Sequence, residues 1–430
     1  MRTPTLRRGV RAVLTRVRDA HLPRAVTLAD QVLSSVSNVL AVVLVARALS
    51  SADFGRFALG YAVLTLALTL SRNYFGTRVS MAPDAADARR LTAELVAGML
   101  VASPLAFLAV LVVAGLVTGL QAPGIVLVVA AATPVVLVQD LLRFGAASGG
   151  RPWVALASDG VWVALMAAPF VLGLDLDATA ALVLWLYAAV SALAVALAAF
   201  GERPRLSGLR ELRRRETLGA SLTLGAVATT AATLLVLMVV ARVLDPAAAG
   251  SLRGASTAMG PVNVLLAFAG LGVTPVLVRR ARAHDRSACL AVGGVLTLLV
   301  LAWGAVLLAL PADVGTALLG DSWGGVRSVL GWTVVEYVLL AAASAALLGL
   351  KVRQRAADLV RARLTLASAT VLLGAGAALV LDRVTAVAAA VAVSTLLGAA
   401  VAWAQFLRDA RTPGRRLDDP GPLLTDPVRT

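Results

Sequence analysis

The chain has 430 residues, 59% of them hydrophobic and 15% charged, with a net charge of +15 and a mean hydropathy of +0.87. Soluble domains carry about a quarter charged residues, so this composition excludes a water-soluble enzyme. The basic residues fall between apolar blocks and form no single patch, which predicts a charge bias that orients a membrane protein and no nucleic-acid partner. One cysteine, Cys289, and two histidines, His21 and His284, predict no internal disulfide, no metal centre and no cofactor.

In chain order, residues 1–24 form a basic arm without an apolar h-region of its own, so they do not read as a cleavable signal. Apolar stretches then run over about 26–46, 54–71, 92–117, 122–142, 152–173, 178–200, 218–241, 250–278, 287–310, 325–350, 362–381 and 384–407. Each is long enough to cross a bilayer as a helix, which takes about 20 residues. None shows the alternation of a barrel strand. The expected fold is an all-α integral membrane protein of about 12 transmembrane helices. A basic linker over 206–216 divides it into 25–205 and 217–408, and a Pro-, Gly- and Asp-rich tail follows over 409–430.

Arginine and lysine sort between alternate connections. Thirty-three of the 39 lie in the N-terminal arm, the even-numbered connections and the tail. The opposite side keeps six: Arg47, Arg56, Arg242, Arg253, Arg327 and Arg383. Basic residues concentrate on the cytoplasmic side, so both termini are expected in the cytoplasm of a plasma membrane.

A shift of 195 residues lays the end of the first span on the end of the seventh. Val45-Ala46-Arg47-x-Leu49-x-x-Ala52-x-x-Gly55 overlays Val240-Ala241-Arg242-x-Leu244-x-x-Ala247-x-x-Gly250. Both copies close an odd-numbered span on the same face. This predicts two six-helix lobes in parallel repeat, pseudo-symmetric about an axis along the membrane normal and enclosing a central cavity. Alternating access and transport follow as expectations. No GxxxxGK[ST] is present, so no P-loop ATPase is expected. Asp175-Leu176-Asp177 has a sugar transferase's D-x-D form but sits in an outer loop too short for a catalytic domain, and reads as a solvated turn. The longest outer loop, 311–324, is likewise too short for a membrane glycosyltransferase or polymerase.

Asp30-Gln31-x-x-Ser34-x-x-x-Asn38, continuing to Ala46-Arg47-x-Leu49-Ser50-x-x-Asp53-Phe54-Gly55-x-Phe57-Ala58, resembles the start of Wzx-type polysaccharide flippases of the multidrug/oligosaccharidyl-lipid/polysaccharide (MOP) exporter superfamily. Gln139-Asp140-x-x-Arg143, Gly149-Gly150-Arg151 with Asp159, and Leu318-Leu319-Gly320-Asp321-x-Trp323 are similar too. The resemblance implies flipping of a polyprenyl-diphosphate-linked glycan to the outer leaflet of a bacterial plasma membrane, for surface polysaccharide. Its partners would be that glycan lipid, membrane lipids and the pathway's glycosyltransferases or polymerase. A multidrug/cation antiporter of the same superfamily and a lipid II flippase stand as alternatives.

Ionisable groups inside spans mark cavities by default. Asp30, Ser34 and Asn38 share one helical face, either lining the passage or bonding between helices. Arg72 and Arg143, near the cytoplasmic ends of the second and fourth spans, either grip a diphosphate with a bidentate fork or snorkel to head groups; Asp140 is placed to pair with Arg143. Asp159 and Glu336 are the deepest acids, readable as a proton or sodium site or as hydrogen bonding within a lobe. Arg253 and Arg56 suggest a basic outer vestibule. Arg47 and Arg242 complement helix C-termini. Pro104, Pro134, Pro261 and Pro275 are expected to bend their spans.

Overall fold

The computed structural model describes residues 26, 29–80, 82–118, 123–202, 217–268, 285–353 and 355–409. The basic arm, the linker over 206–216, the tail beyond Asp409, His21, His284 and Pro275 lie outside them. Among the described residues every regular element is helical and no strand occurs.

In chain order these are α1 (29–48), α2 (Ser51–Ser71, continued by a π-turn at Arg72–Gly76 and by Thr77–Ser80) and α3 (Ala85–Thr118). Next come α4 (Pro123–Ser148), α5 (Pro152–Leu172) and α6 (Ala178–Phe200). The second half holds α7 (Thr217–Val243), α8 (Pro246–Ala258), α9 (Gly260–Phe268) and α10 (Asp285–Leu308). It ends with α11 (Ala312–Leu319), α12 (Trp323–Val352), α13 (Ala356–Ala369, a π-turn at Thr370–Ala375, then Gly376–Leu381) and α14 (Val384–Asp409). Among the described residues eleven helices are long and apolar enough to cross a membrane, and the chain is a multi-pass membrane protein. The stretch expected over 250–278 is described to Phe268, as α8 and α9, with a break at Met259 just ahead of Pro261. Proline lacks an N–H and clashes with the carbonyl four residues back, which ends the preceding helix. Pro104 and Pro134, by contrast, sit inside the continuous helices α3 and α4.

Three expected connections are helical instead, among them the loop expected over 311–324, which holds α11, a 3-10 turn at Gly320–Ser322 and the start of α12. The 72–90 segment is mostly α2 and α3, and Arg78 is buried there. The 351–363 segment is largely the start of α13.

The 195-residue repeat is visible in the helix ends. α1 ends at residue 48 and α7 at Val243. Ser50 caps α2 by accepting from the Asp53 N–H, and Asp245 caps α8 by accepting from the Ala248 N–H. A side-chain acceptor at the helix start satisfies one of the unpaired first-turn donors. Both caps, and the donors that they serve, are 195 residues apart. Helices α2–α6 pack among themselves, as do α7–α14, and the halves meet mainly where α2 lies against α7 and α8. One apolar core runs through that contact from Val45, Phe54 and Phe57 to Leu237, Val326 and Val300.

The repeat-related glycines touch. A methyl group placed on Gly55 would overlap the Pro246 carbonyl at the start of α8, and one on Gly250 would press on Phe54 and the Gly55 backbone. Only residues without a side chain allow so close a crossing.

Candidate functional site

The polar residues inside the membrane fall into two groups. The first is a buried ion cluster that joins five helices of the N-terminal half. Arg143 on α4 donates from Nη2 to Asp30 Oδ2 of α1 at 2.8 Å and from Nη1 to Asp140 Oδ1 at 3.3 Å. Its Nε lies 3.1 Å from Asp159 Oδ2 of α5. Arg72, on the π-turn of α2, forks onto Asp140 with bonds of 2.8 and 2.7 Å. Gln139 donates to Asp159 Oδ1 at 2.8 Å and to Ser158, whose hydroxyl reaches the Ala192 carbonyl of α6. Three carboxylates thus surround two guanidiniums.

Exposure separates the two arginines. The Arg143 side chain is 8% exposed and is enclosed by acids, whereas Arg72 keeps 41% of its side chain exposed. Asp159 is tied to Arg143 and Gln139 inside its own half, the arrangement that hydrogen bonding within a lobe predicts.

The second group is a hydroxyl-lined seam between the halves. Along α2, Tyr61, Thr65, Thr69 and Asn73 recur every four residues, so they share one face. Thr65, Thr69 and Asn73 each bond the carbonyl one turn back. Across the seam, Thr229, Thr230 and Thr233 do the same on α7, and the Thr230 hydroxyl meets that of Thr69 at 3.3 Å. Ser35 of α1 reaches the Gly260 carbonyl of α9 at 3.3 Å.

At the far end of the seam, the Arg253 guanidinium of α8 stacks 4.8 Å above the Tyr61 ring. Tyr61 donates to Asn38 Oδ1 at 2.8 Å, and Asn38 donates in turn to the Ser34 carbonyl. No carboxylate pairs with Arg253 among the described residues, and its Nε is buried without a bond. Asn263 of α9 donates to Tyr337 of α12 at 3.2 Å. The neighbouring Glu336 is half-buried and makes no hydrogen bond or ion pair among the described residues.

Arg363 is a further guanidinium in the membrane that the charge count assigned to a connection. It lies two turns inside α13, half-buried against Gly225 of α7, one turn from Thr229. No acid pairs with it among the described residues.

The residues on the arginine-poor side are placed as helix-end groups. Arg47 meets Asp175 at 3.4 Å, with that aspartate 93% exposed. Arg242 bonds the Leu116 carbonyl, Arg56 pairs with Asp53, and Asp177 caps α6. Gly320 of the third resembling patch rests on the end of α1 beside Arg47. The second patch supplies the ion cluster and, at Gly149-Gly150-Arg151, the turn before α5. There Arg89 donates to the Gly149 carbonyl and Arg151 to that of Phe200.

No family model and no curated protein matches the chain. A solved lipid II flippase, MurJ, in an inward closed conformation superposes with a TM-score of 0.69 at 11% identity, over 91% of this chain and 87% of that one. An inward-facing multidrug resistance MATE family transporter of the MOP superfamily superposes with a TM-score of 0.57 at 13% identity, over 90% and 94%. The chain has the MOP-superfamily fold. The MOP fold carries about 12 membrane helices in two lobes, and the meeting of α2 with α7 and α8 is where the repeat-related parts of this chain's two halves come together.

Proposed function

We propose that the chain is a flippase that moves a polyprenyl-diphosphate-linked oligosaccharide from the inner to the outer leaflet of a bacterial plasma membrane by alternating access. Its lobes are residues 25–205 and 217–408, and the arginine-rich face is cytoplasmic. The observation that carries this reading is a hydroxyl-lined seam between pseudo-symmetric halves, flanked by Arg72, Arg253 and Arg363, two of them without an acidic partner among the described residues. A diphosphate and its sugars cannot cross about 30 Å of hydrocarbon unaided. Guanidinium groups suit phosphate oxygens, and threonine hydroxyls suit sugar hydroxyls. Asp30, Asp140 and Asp159 hold Arg143 and position Arg72; Asn38 orients Tyr61. An inside-negative potential drives the anionic head group outward, by about 2.3 kcal/mol per charge per 100 mV.

The Gly55–Gly250 crossing is the closure on the far face in this state. A cationic-drug antiporter would need acids to dominate the passage, and arginine dominates this one. Lipid II, which has the same diphosphate-sugar chemistry, is the second reading, and the likeness to a lipid II flippase favours it. Deleting the gene is expected to trap lipid-linked glycan on the inner leaflet; unchanged surface polysaccharide contradicts the first reading. Rescue of cells depleted of their lipid II flippase assigns the second.

A further inference from the structure

We propose that α13 and α14 form a binding site for one anionic glycerophospholipid on the arginine-rich side of the membrane. The site lies away from the seam and does not depend on what the seam carries. A cavity of about 560 Å³ opens there, lined chiefly by Arg361, Leu364, Thr365, Ser368, Leu372 and Leu397. Arg361, 71% exposed at the side chain, stands at the mouth. It shares Asp358, at 3.4 Å, with Arg355, at 2.8 Å, so the trio keeps one positive charge beyond its acid.

Depth orders the rest of the lining. At about 1.5 Å of rise per residue, Thr365 lies about 6 Å further into the membrane than Arg361, and Ser368 about 10 Å. Membrane hydroxyls in this chain commonly bond the carbonyl one turn back, as Thr65, Thr133, Thr297, Ser394 and Thr395 do. Thr365 and Ser368 have no partner among the described residues. A hydroxyl left unbonded toward hydrocarbon is unfavourable, so both are poised for an acceptor that arrives with lipid.

Immediately beyond them, the π-turn Thr370–Ala375 leaves Leu372 72% and Leu373 38% exposed, and Leu397 of α14 is 44% exposed. π-turns recur at functional sites. Cation, then hydroxyls, then a leucine wall matches phosphate, ester carbonyls and acyl chain in order of depth. A polyprenyl phosphate has no carboxylic ester carbonyls below its phosphate and leaves both hydroxyls unpaired. A zwitterionic head group brings its own cation beside the phosphate and so gains less from the charge of Arg361 than a net anion does.

Native mass spectrometry of the intact chain tests this with four probes: dioleoyl phosphatidylglycerol, its ether-linked analogue, dioleoyl phosphatidylcholine and undecaprenyl phosphate. Retention of the phosphatidylglycerol ester is expected to exceed that of phosphatidylcholine about tenfold and that of the ether analogue about fivefold, roughly what one hydrogen bond supplies. Arg361→Gln should erase the first preference, and Thr365→Val with Ser368→Ala the second. Equal retention of ester and ether by the unaltered chain overturns the proposal, and needs no variant to fold. So does a phosphatidylglycerol preference untouched by Arg361→Gln, or displacement of phosphatidylglycerol by undecaprenyl phosphate.

Discussion

The two ends of α2 face the same partner half with opposite chemistry. From Phe54 to Leu64 every residue except Arg56 is buried, and small residues of α8 let the backbones nearly touch at Gly55 and Gly250. From Thr65 to Asn73 most of the helix is half-buried, and its contact with α7 is made by hydroxyls. Apolar interlocking separates only by exposing the whole patch, and a close glycine crossing admits no intermediate spacing. A hydroxyl-lined contact exchanges its partners for water or sugar at little net cost. On the proposed reading, one helix therefore supplies both a firm closure and a passable seam. The ion cluster behind the second region ties five helices together, and on that reading the seam opens between bodies and not within one.

The largest expected effect comes from filling the crossing. Gly55→Leu adds a side chain where even a methyl group overlaps the Pro246 carbonyl. Overpacking costs about 1–3 kcal/mol or more, enough to shift the closed population up to about a hundredfold. Transport in proteoliposomes should be abolished while the protein still inserts. Next is Arg143→Gln, which strips three buried carboxylates of their shared partner. Removing one member of a buried ion set costs about 3–5 kcal/mol, to be read as a lowered melting temperature in detergent. Arg143→Lys should not rescue it, because a point charge cannot fork to three acids.

Arg253→Gln is expected to lower transport about tenfold while removing only a cation–π contact of about 0.5–2 kcal/mol. A large loss of stability would make Arg253 a structural group. Thr65→Val with Thr69→Val should slow transport a few-fold and leave melting unchanged, since each hydroxyl already bonds its own helix. Asp175→Asn loosens an exposed pair and should change stability by less than about 0.5 kcal/mol.

Much of this contrast was legible in the sequence. Hydropathy placed the spans, and the 195-residue repeat returned as coincident helix ends and caps. The motif marked Gly55 and Gly250 one at a time; that they meet is a property of the pseudo-dyad, which spacing along the chain does not show. Asp140 and Arg143 are three apart and readable as a pair, whereas Asp30 and Asp159 reach Arg143 through space from other helices. The threonine stripe keeps a four-residue spacing from Tyr61 in the sequence, but threonine inside a span carries no signal of its own until its partner helix is known. Arg363 was hidden by proximity to a basic connection. The π-turns leave no mark in hydropathy: Thr370–Ala375 is one extra residue within an apolar run, and Arg72–Gly76 follows the apolar stretch as a polar segment that reads as a connection.

Side-resolved labelling of a single cysteine tests most directly whether the hydroxyl region is the passage and the glycine crossing its closure. Cys289, buried at 1% exposure, is replaced by alanine, and Thr69→Cys is exposed to a membrane-impermeant maleimide from either side. Labelling from the arginine-rich side alone is predicted, with labelling from the opposite side gained when Gly55→Leu is added. A cysteine that reacts from neither side, or an opposite-side reactivity that Gly55→Leu leaves unchanged, contradicts the account.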